Sequence, residues 1–265
     1  MTTTRVREIS PQYYRAIFIS DIHLGFPGCS AEYLLNFLRS TRCDYLYLVG
    51  DIIDVWQMKK KLYWPQAHND VIRTILGKAK HGTKIIYVPG NHDEVLRDLD
   101  GTVLGNLEIH NEYIHHCKDG KRFLLLHGDQ FDGIVTHSRS LSLIGSTLYE
   151  LLLQMNGMVN YVRRKLGFPH WSLANVLKHK VKSAVCYISN YESALAYAAK
   201  KNRVDGIISG HIHRAEISHI HEVIYCNCGD WVESCTALVE RHDGEIELLH
   251  WTVKKESIKT LEEAA

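Results

Sequence analysis

The chain has 265 residues, 45% of them hydrophobic, and a formal net charge of +1 at pH 7. That is enough for one large α/β domain or a domain with an inserted subdomain, and five prolines with no low-complexity tract argue against a linker between two independent ones. No apolar run reaches the ~18 residues of a membrane span. Residues 1–10 lack the apolar core of a secretory signal, and seven cysteines are an odd number for a disulfide framework, so a cytoplasmic, reducing compartment is expected.

In chain order, apolar periodicity predicts a strand at 16–20, a helix near 31–40, a strand at 45–49, a helix near 66–81 and a strand at 84–88. A short helix follows His92, then strands at 107–117, 121–127 and 204–209. Residues 215–252 read as strands broken by turns, with Asp243-Gly244 as a hairpin signal. Parallel crossovers early and antiparallel strands late predict two packed sheets with outer helices in a single domain over 1–265. The polar tail 254–265 is expected to fray.

Five of these strands run into short polar motifs: Asp21-Ile22-His23, Gly50-Asp51-Ile52-Ile53-Asp54, Gly90-Asn91-His92-Asp93, His127-Gly128-Asp129 and Gly210-His211-Ile212-His213. An open α/β sheet builds its site at strand ends in this way. A mixture of carboxylates, one amide and imidazoles suits two divalent transition metals better than one structural zinc or one calcium. Each motif alone is a capped turn or a satisfied histidine; five in order at strand ends are not. Cys226-Asn227-Cys228 lacks zinc-ribbon spacing, and His115-His116 lacks a matching carboxylate pattern, so both read as strand residues with structural roles.

The order and spelling of the motifs resemble the calcineurin-like metallophosphoesterase superfamily over residues 16–252. The resemblance implies a four-layer α/β/β/α sandwich. It also implies a metal on Asp21, His23, Asp51 and His213, and a second on Asp51, Asn91, His127 and His211, with Asp51 bridging. His92 would stand beside the leaving group. A close metal pair clamps the attacking and leaving oxygens at phosphorus and lowers the pKa of a shared water. His92 suits protonation of the leaving oxygen because its ordinary pKa lies near working pH. The carboxylate that orients it is Asp93, its neighbour, or Asp54. Mn²⁺ is the expected metal, and Fe and Zn²⁺ suit the same donors.

Residues 130–203 read as a helical insert with an unusually wide apolar band, including Leu148, Leu151, Leu152 and Met155. Ten Lys and Arg against three acids make the insert +7, so the rest of the chain is −6. An apolar, basic insert suggests an amphiphilic anionic substrate and peripheral contact with the inner membrane face, with Arg163 and Arg164 as candidate phosphate contacts. The alternative is a helical layer packed on the core. With Gly229-Asp230-Trp231, the insert makes the chain similar to the UDP-2,3-diacylglucosamine hydrolases, in which a helical lid holds two acyl chains and a pyrophosphate bond is cleaved. That family usually carries Arg where this chain has His92, the residue of the wider superfamily. Arg214 suits bidentate phosphate recognition or a salt bridge.

Three functions follow: a lipid-linked nucleotide pyrophosphatase, a phosphodiesterase or nuclease of broader specificity, and a non-catalytic scaffold. The near-zero net charge weighs against nucleic acid. A scaffold would be expected to have lost ligands, and all seven are present.

Overall fold

The computed structural model describes residues 12–132, 191 and 193–251. Its strands are β1 (Gln12–Ile19), β2 (Thr41–Val49), β3 (Lys84–Val88), β4 (Val103–Leu104), β5 (Leu107–Ile109), β6 (Tyr113–His116), β7 (Arg122–Leu125), β8 (Gly206–Ser209), β9 (Glu216–Ile220), β10 (Val223–Asn227), β11 (Thr236–Glu240) and β12 (Ile246–His250). The helices are α1 (Ala31–Ser40), α2 (Val55–Lys60), α3 (Gln66–Lys80) and α4 (193–202). A 3-10 helix at Glu94–Leu99 follows His92.

A seven-stranded sheet has the order β12-β11-β1-β2-β3-β5-β4, and a five-stranded sheet the order β6-β7-β8-β10-β9. The run β1-β2-β3-β5 is parallel, as are β7-β8 and β8-β10. The central strands are continuous apolar runs because both their faces are covered. Ile17 and Ile19 on β1, Leu46 and Leu48 on β2, and Ile85 and Tyr87 on β3 join Leu34, Leu38, Val71 and Ile75 of α1 and α3 in one core. The alternate residues Phe18, Tyr47, Val49, Ile86 and Val88 join Phe123, Leu125, Ile208 and Cys226 of the other sheet in a second core. Side chains that alternate along a strand thus serve a helix–sheet layer and a sheet–sheet layer in turn.

The strand expected at 107–117 is two. β5 pairs with β3 in one sheet, and β6 pairs with β7 in the other. The chain changes sheets at 110–112, where Asn111 donates its backbone N–H to Asp100 Oδ1 (2.8 Å) and its amide to the Arg97 carbonyl (3.3 Å). β1 and β2 begin earlier than their apolar runs, at Gln12 and Thr41. α2 was not anticipated; it buries no residue and so carries no apolar period.

The chain forms two compact units, one of Met1–Asp129 with Ala196–Ala265 and the other of Gln130–Leu195. In the second, Phe131 meets the ring of Tyr191 edge-on at 6.1 Å. Most of the insert and the 254–265 tail lie outside the described residues, among them Leu148, Leu151, Leu152, Met155, Arg163 and Arg164.

A candidate metal centre

Five strand ends converge. β1 leads to Asp21 and His23, β2 to Asp51, β3 to Asn91 and His92, β7 to His127, and β8 to His211 and His213. The loops are tied to one another through backbone bonds. Asp21 N–H donates to the Gly50 carbonyl (3.0 Å), His23 N–H to that of Asp51 (2.9 Å), and Gly210 N–H to that of His127 (3.2 Å). The turns demand left-handed backbone: φ is 50° at Asp21, 55° at His23, 54° at Asp51, 69° at His211 and 54° at His213. Each such residue costs about 1–3 kcal/mol, and such strain concentrates where function needs it. Close approach also explains two motif glycines: a Cβ at Gly50 would land on the His127 ring, and one at Gly90 on the Asp51 carboxylate.

Asp51 is the hub. Its Oδ2 has His127 Nε2 at 3.3 Å, His23 Nε2 at 3.9 Å and His92 Nε2 at 4.0 Å. Asp21 Oδ1 has His213 Nε2 at 3.2 Å. The His127 and His211 rings stand 5.2 Å apart, and those of His23 and His213 5.4 Å apart. Three of the inward atoms, Asp21 Oδ1, Asn91 Oδ1 and His127 Nε2, are buried and make no hydrogen bond. Nitrogen and oxygen stand close here without the alignment that a hydrogen bond requires. Two ligand atoms each about 2.1 Å from one cation would be separated by about 3–3.5 Å, so the spacing fits a shared ion.

The outward ring nitrogens agree. His127 Nδ1 faces the Val49 carbonyl at 3.0 Å, His23 Nδ1 faces Asp54 Oδ2 at 3.1 Å, and His213 Nδ1 lies 3.8 Å from Asp230 Oδ2. An oxygen at Nδ1 favours the proton there and turns the Nε2 lone pair inward, the arrangement of a metal-ligating histidine. Buried charge points the same way. Burial raises the carboxyl pKa of Asp21 and of Asp51, but His213 and His127 respectively outweigh it and hold both below the ordinary range. Burial depresses the imidazoles, but Asp51 lifts His127 to about 10, and Asp21 lifts His213 to about 9. The cluster is a negative well that draws positive charge.

Of the two carboxylates offered for His92, Asp54 makes the contact: its Oδ1 lies 2.9 Å from His92 Nδ1. The same oxygen accepts the Gln57 N–H at 2.8 Å and so caps α2. The Asp93 carboxylate takes its hydrogen bonds from backbone N–H groups and the Tyr87 hydroxyl. Its Oδ1 accepts from Gly90 N–H (2.6 Å), and its Oδ2 from Ile52 N–H (2.8 Å) and the Tyr87 hydroxyl (2.5 Å). Burial and nearby Asp51 raise its pKa. It fastens the third motif loop to the second. His92 is half-buried, its N–H donates to Asp51 Oδ1 (2.8 Å), and the Trp56 ring lies 4.5 Å from its own. Sequence reading missed Trp56, which has no motif around it, and the ion pair of Arg97 Nη2 with both oxygens of Asp129 (2.8 Å each), which ties the 3-10 helix after the third motif to the fourth. Arg214 is exposed and paired with Glu216 at 3.1 Å. Cys226 and Cys228 are buried, and burial pushes the Cys226 thiol up to about 12.

The model of the calcineurin-like phosphoesterases matches residues 14–215. UDP-2,3-diacylglucosamine hydrolases of Shigella sonnei and Escherichia coli are 24% identical over 220 residues, spanning 78% of this chain and 84% of theirs. Among solved structures, an archaeal phosphodiesterase is 14% identical with a TM-score of 0.42, covering 88% of this chain and 98% of its own.

Proposed function

The chain belongs to the calcineurin-like phosphoesterase family, and from that premise we propose that it cleaves the diphosphate of a nucleotide-linked lipid, as a UDP-2,3-diacylglucosamine-type pyrophosphatase. Hydrolysis of phosphoesters with divalent metal is the family-level activity. The reading finer than that draws on the 24% identical hydrolases and on the wide apolar band and +7 charge of 130–203. The same band supports peripheral contact at the inner face of a membrane.

The observation that carries the chemistry is the set of unbonded, buried Asp21 Oδ1, Asn91 Oδ1 and His127 Nε2 around Asp51. Two cations, with Mn²⁺ the first choice, would be held by Asp21, His23, Asp51 and His213, and by Asp51, Asn91, His127 and His211. When bound, such a pair supplies a water acidic enough to attack phosphorus at neutral pH and fixed positive charge for the transition state. His92, steadied by Asp54 at 2.9 Å, carries the proton that the leaving oxygen needs, delivered from Nε2. Asp93 keeps the loop under His92 in register through its bonds to Gly90 and Ile52.

A broader phosphodiesterase is the second reading, favoured by His92 where the lipid-directed relatives usually carry Arg. The two are separated by assaying the Mn²⁺-loaded protein on UDP-diacylglucosamine, bis-p-nitrophenyl phosphate and single-stranded DNA in parallel. Turnover of the lipid substrate far above the others is expected. Equal turnover of lipid and soluble diesters would leave only the general phosphodiesterase.

A further inference from the structure

We propose that the exposed run Lys59–Trp64 is a docking edge for an anionic lipid surface. All six residues are exposed: Lys59, Lys60, Lys61, Leu62, Tyr63 and Trp64. Leu62, at 72%, is the most exposed large hydrophobic side chain among the described residues. No acidic residue occurs between Asp54 and Asp70, so the segment carries three cations and no compensating charge. A protruding Leu beside Tyr, Trp and Lys is the composition of a membrane interface: the apolar groups enter the headgroup boundary and the ammonium groups meet lipid phosphates.

The rings are pre-arranged. Tyr63 and Trp64 each meet His68 of α3 edge-on at 5.7 Å, which fixes them and lowers the entropy lost on docking. Pro65 follows and stiffens the turn into α3. The edge also has a place relative to the centre. α2 is six residues, about 9 Å long. Its first turn is held at the metal centre, by Asp54 at its N-terminus and by Trp56 against His92. A surface engaged at the far end of α2 lies one short helix from His92. Leu62 decides between lipid and nucleic acid, because an extruded aliphatic side chain gains nothing from a phosphate backbone or a base.

The test reads binding without turnover, so it stands apart from the substrate reading above. The full chain is sedimented with vesicles of phosphatidylcholine and phosphatidylglycerol, and with phosphatidylcholine alone. Binding to the anionic vesicles is expected. Replacing all three lysines (Lys59→Gln, Lys60→Gln, Lys61→Gln) should lower the partition coefficient by about 100-fold, from about 1 kcal/mol per charge near the surface. Leu62→Ser should lower it by about 10-fold, from a Leu side chain no longer buried. Turnover of bis-p-nitrophenyl phosphate and the thermal melt should not change, because these side chains are exposed and outside the centre. Leu62→Glu is the reserve variant should the triple one fail to fold. Wild-type partitioning in the folded Lys and Leu variants overturns the proposal, and so does binding that disappears only with Arg163→Gln and Arg164→Gln. Lysine-dependent capture of single-stranded DNA with no vesicle binding overturns it in favour of a nucleic-acid surface.

Discussion

Among the described residues, two buried clusters are built from metal-type side chains. One surrounds Asp51; the other joins His115, Cys117 and Glu240 between the sheets. In the second the carboxylate and both ring nitrogens have partners inside the protein. Glu240 Oε1 accepts from Arg15 (2.7 Å) and from the Lys118 N–H (2.8 Å), and Oε2 faces His115 Nε2 at 2.8 Å. His115 Nδ1 faces the Tyr47 hydroxyl at 2.7 Å. Arg15 brings a permanent cation, and burial pushes the Cys117 thiol up to about 12, so it is not a thiolate. Around Asp51, His23 and His127 have their oxygen partners at Nδ1, and the inward Asp21 Oδ1, Asn91 Oδ1 and His127 Nε2 are left unbonded. The residue types are shared; what separates a centre that takes cations from a network that clamps two sheets is the unmet valence facing inward.

The largest break in that comparison is Asp51→Ala. It removes the oxygen that three imidazoles surround. Turnover of bis-p-nitrophenyl phosphate should fall by at least about 10³-fold, the upper end for loss of one preorganised electrostatic contact. Bound metal, measured by plasma mass spectrometry, should fall with it. The second cluster gives a control: in Asp51→Ala, added Mn²⁺ or Zn²⁺ should not raise the melting temperature. A metal-dependent rise that persists when Asp21 and His127 are replaced as well would mean that His115, Cys117 and Glu240 also take an ion.

Next is His92→Ala. A general acid is worth about 10²–10⁴-fold, so alkyl phosphodiesters should slow by that much, while a p-nitrophenolate leaving group suffers less. Metal content should stay at the wild-type level. Equal loss on both substrate types would take the proton-donor role away from His92.

Glu240→Gln tests the other cluster. Removing one partner of a buried ion pair costs about 3–5 kcal/mol, so the thermal melt should drop while metal content and turnover stay unchanged. The pH dependence has a definite sign. Burial raises the Glu240 carboxyl, but the bonds from His115, Lys118 N–H and Arg15 outweigh that and hold it below its ordinary pKa. Ionised Glu240 therefore stabilises the fold fully above the unfolded value of about 4.3 and loses that contribution as pH falls through the folded one. Wild-type and variant melts should be far apart at neutral pH and converge in acid.

The sequence was most readable where one pattern had one cause. The C-terminal parts of β1, β2 and β3, at 16–19, 45–49 and 85–88, are apolar without a break because both faces are covered there, and each leads into ligand residues because the loops at strand ends hold the site. It was least readable where partners are distant or side-chain direction decides. Glu240 meets Arg15 across 225 residues, which no local period reports. Asp93 adjoins His92 in sequence yet turns back under its own loop, while Asp54, 38 residues away, faces the ring. α2 has six residues and no buried face, so nothing in its spelling marked it as a helix or placed Trp56 on His92.

The smallest expected effect belongs to Asp54→Asn, and it sharpens the comparison most. Asp54 serves two histidines at once, His23 Nδ1 at 3.1 Å and His92 Nδ1 at 2.9 Å, and caps α2 through the Gln57 N–H. With its amide oxygen in the place of Oδ1, Asn faces both His92 and the Gln57 N–H and caps α2 as Asp does, so the melting temperature is kept; with the oxygen turned to His23 the cap is lost and the melt falls as well. The amide has one acceptor oxygen where the carboxylate has two, so it can hold only one imidazole with the proton on Nδ1. Facing the NH₂ group, the other ring must move its proton to Nε2 or lose its bond. Loss of a carboxylate behind a ligand or catalytic histidine costs about 10–100-fold. If the amide oxygen stays on His92, the cost falls on His23 and appears as weaker metal affinity. If it stays on His23, the cost appears as slower turnover of substrates with poor leaving groups. A metal titration beside a leaving-group series reads which side gives way. Wild-type behaviour in both would mean that neither histidine depends on Asp54, and that the contacts below the centre are packing of the same kind as those around Glu240.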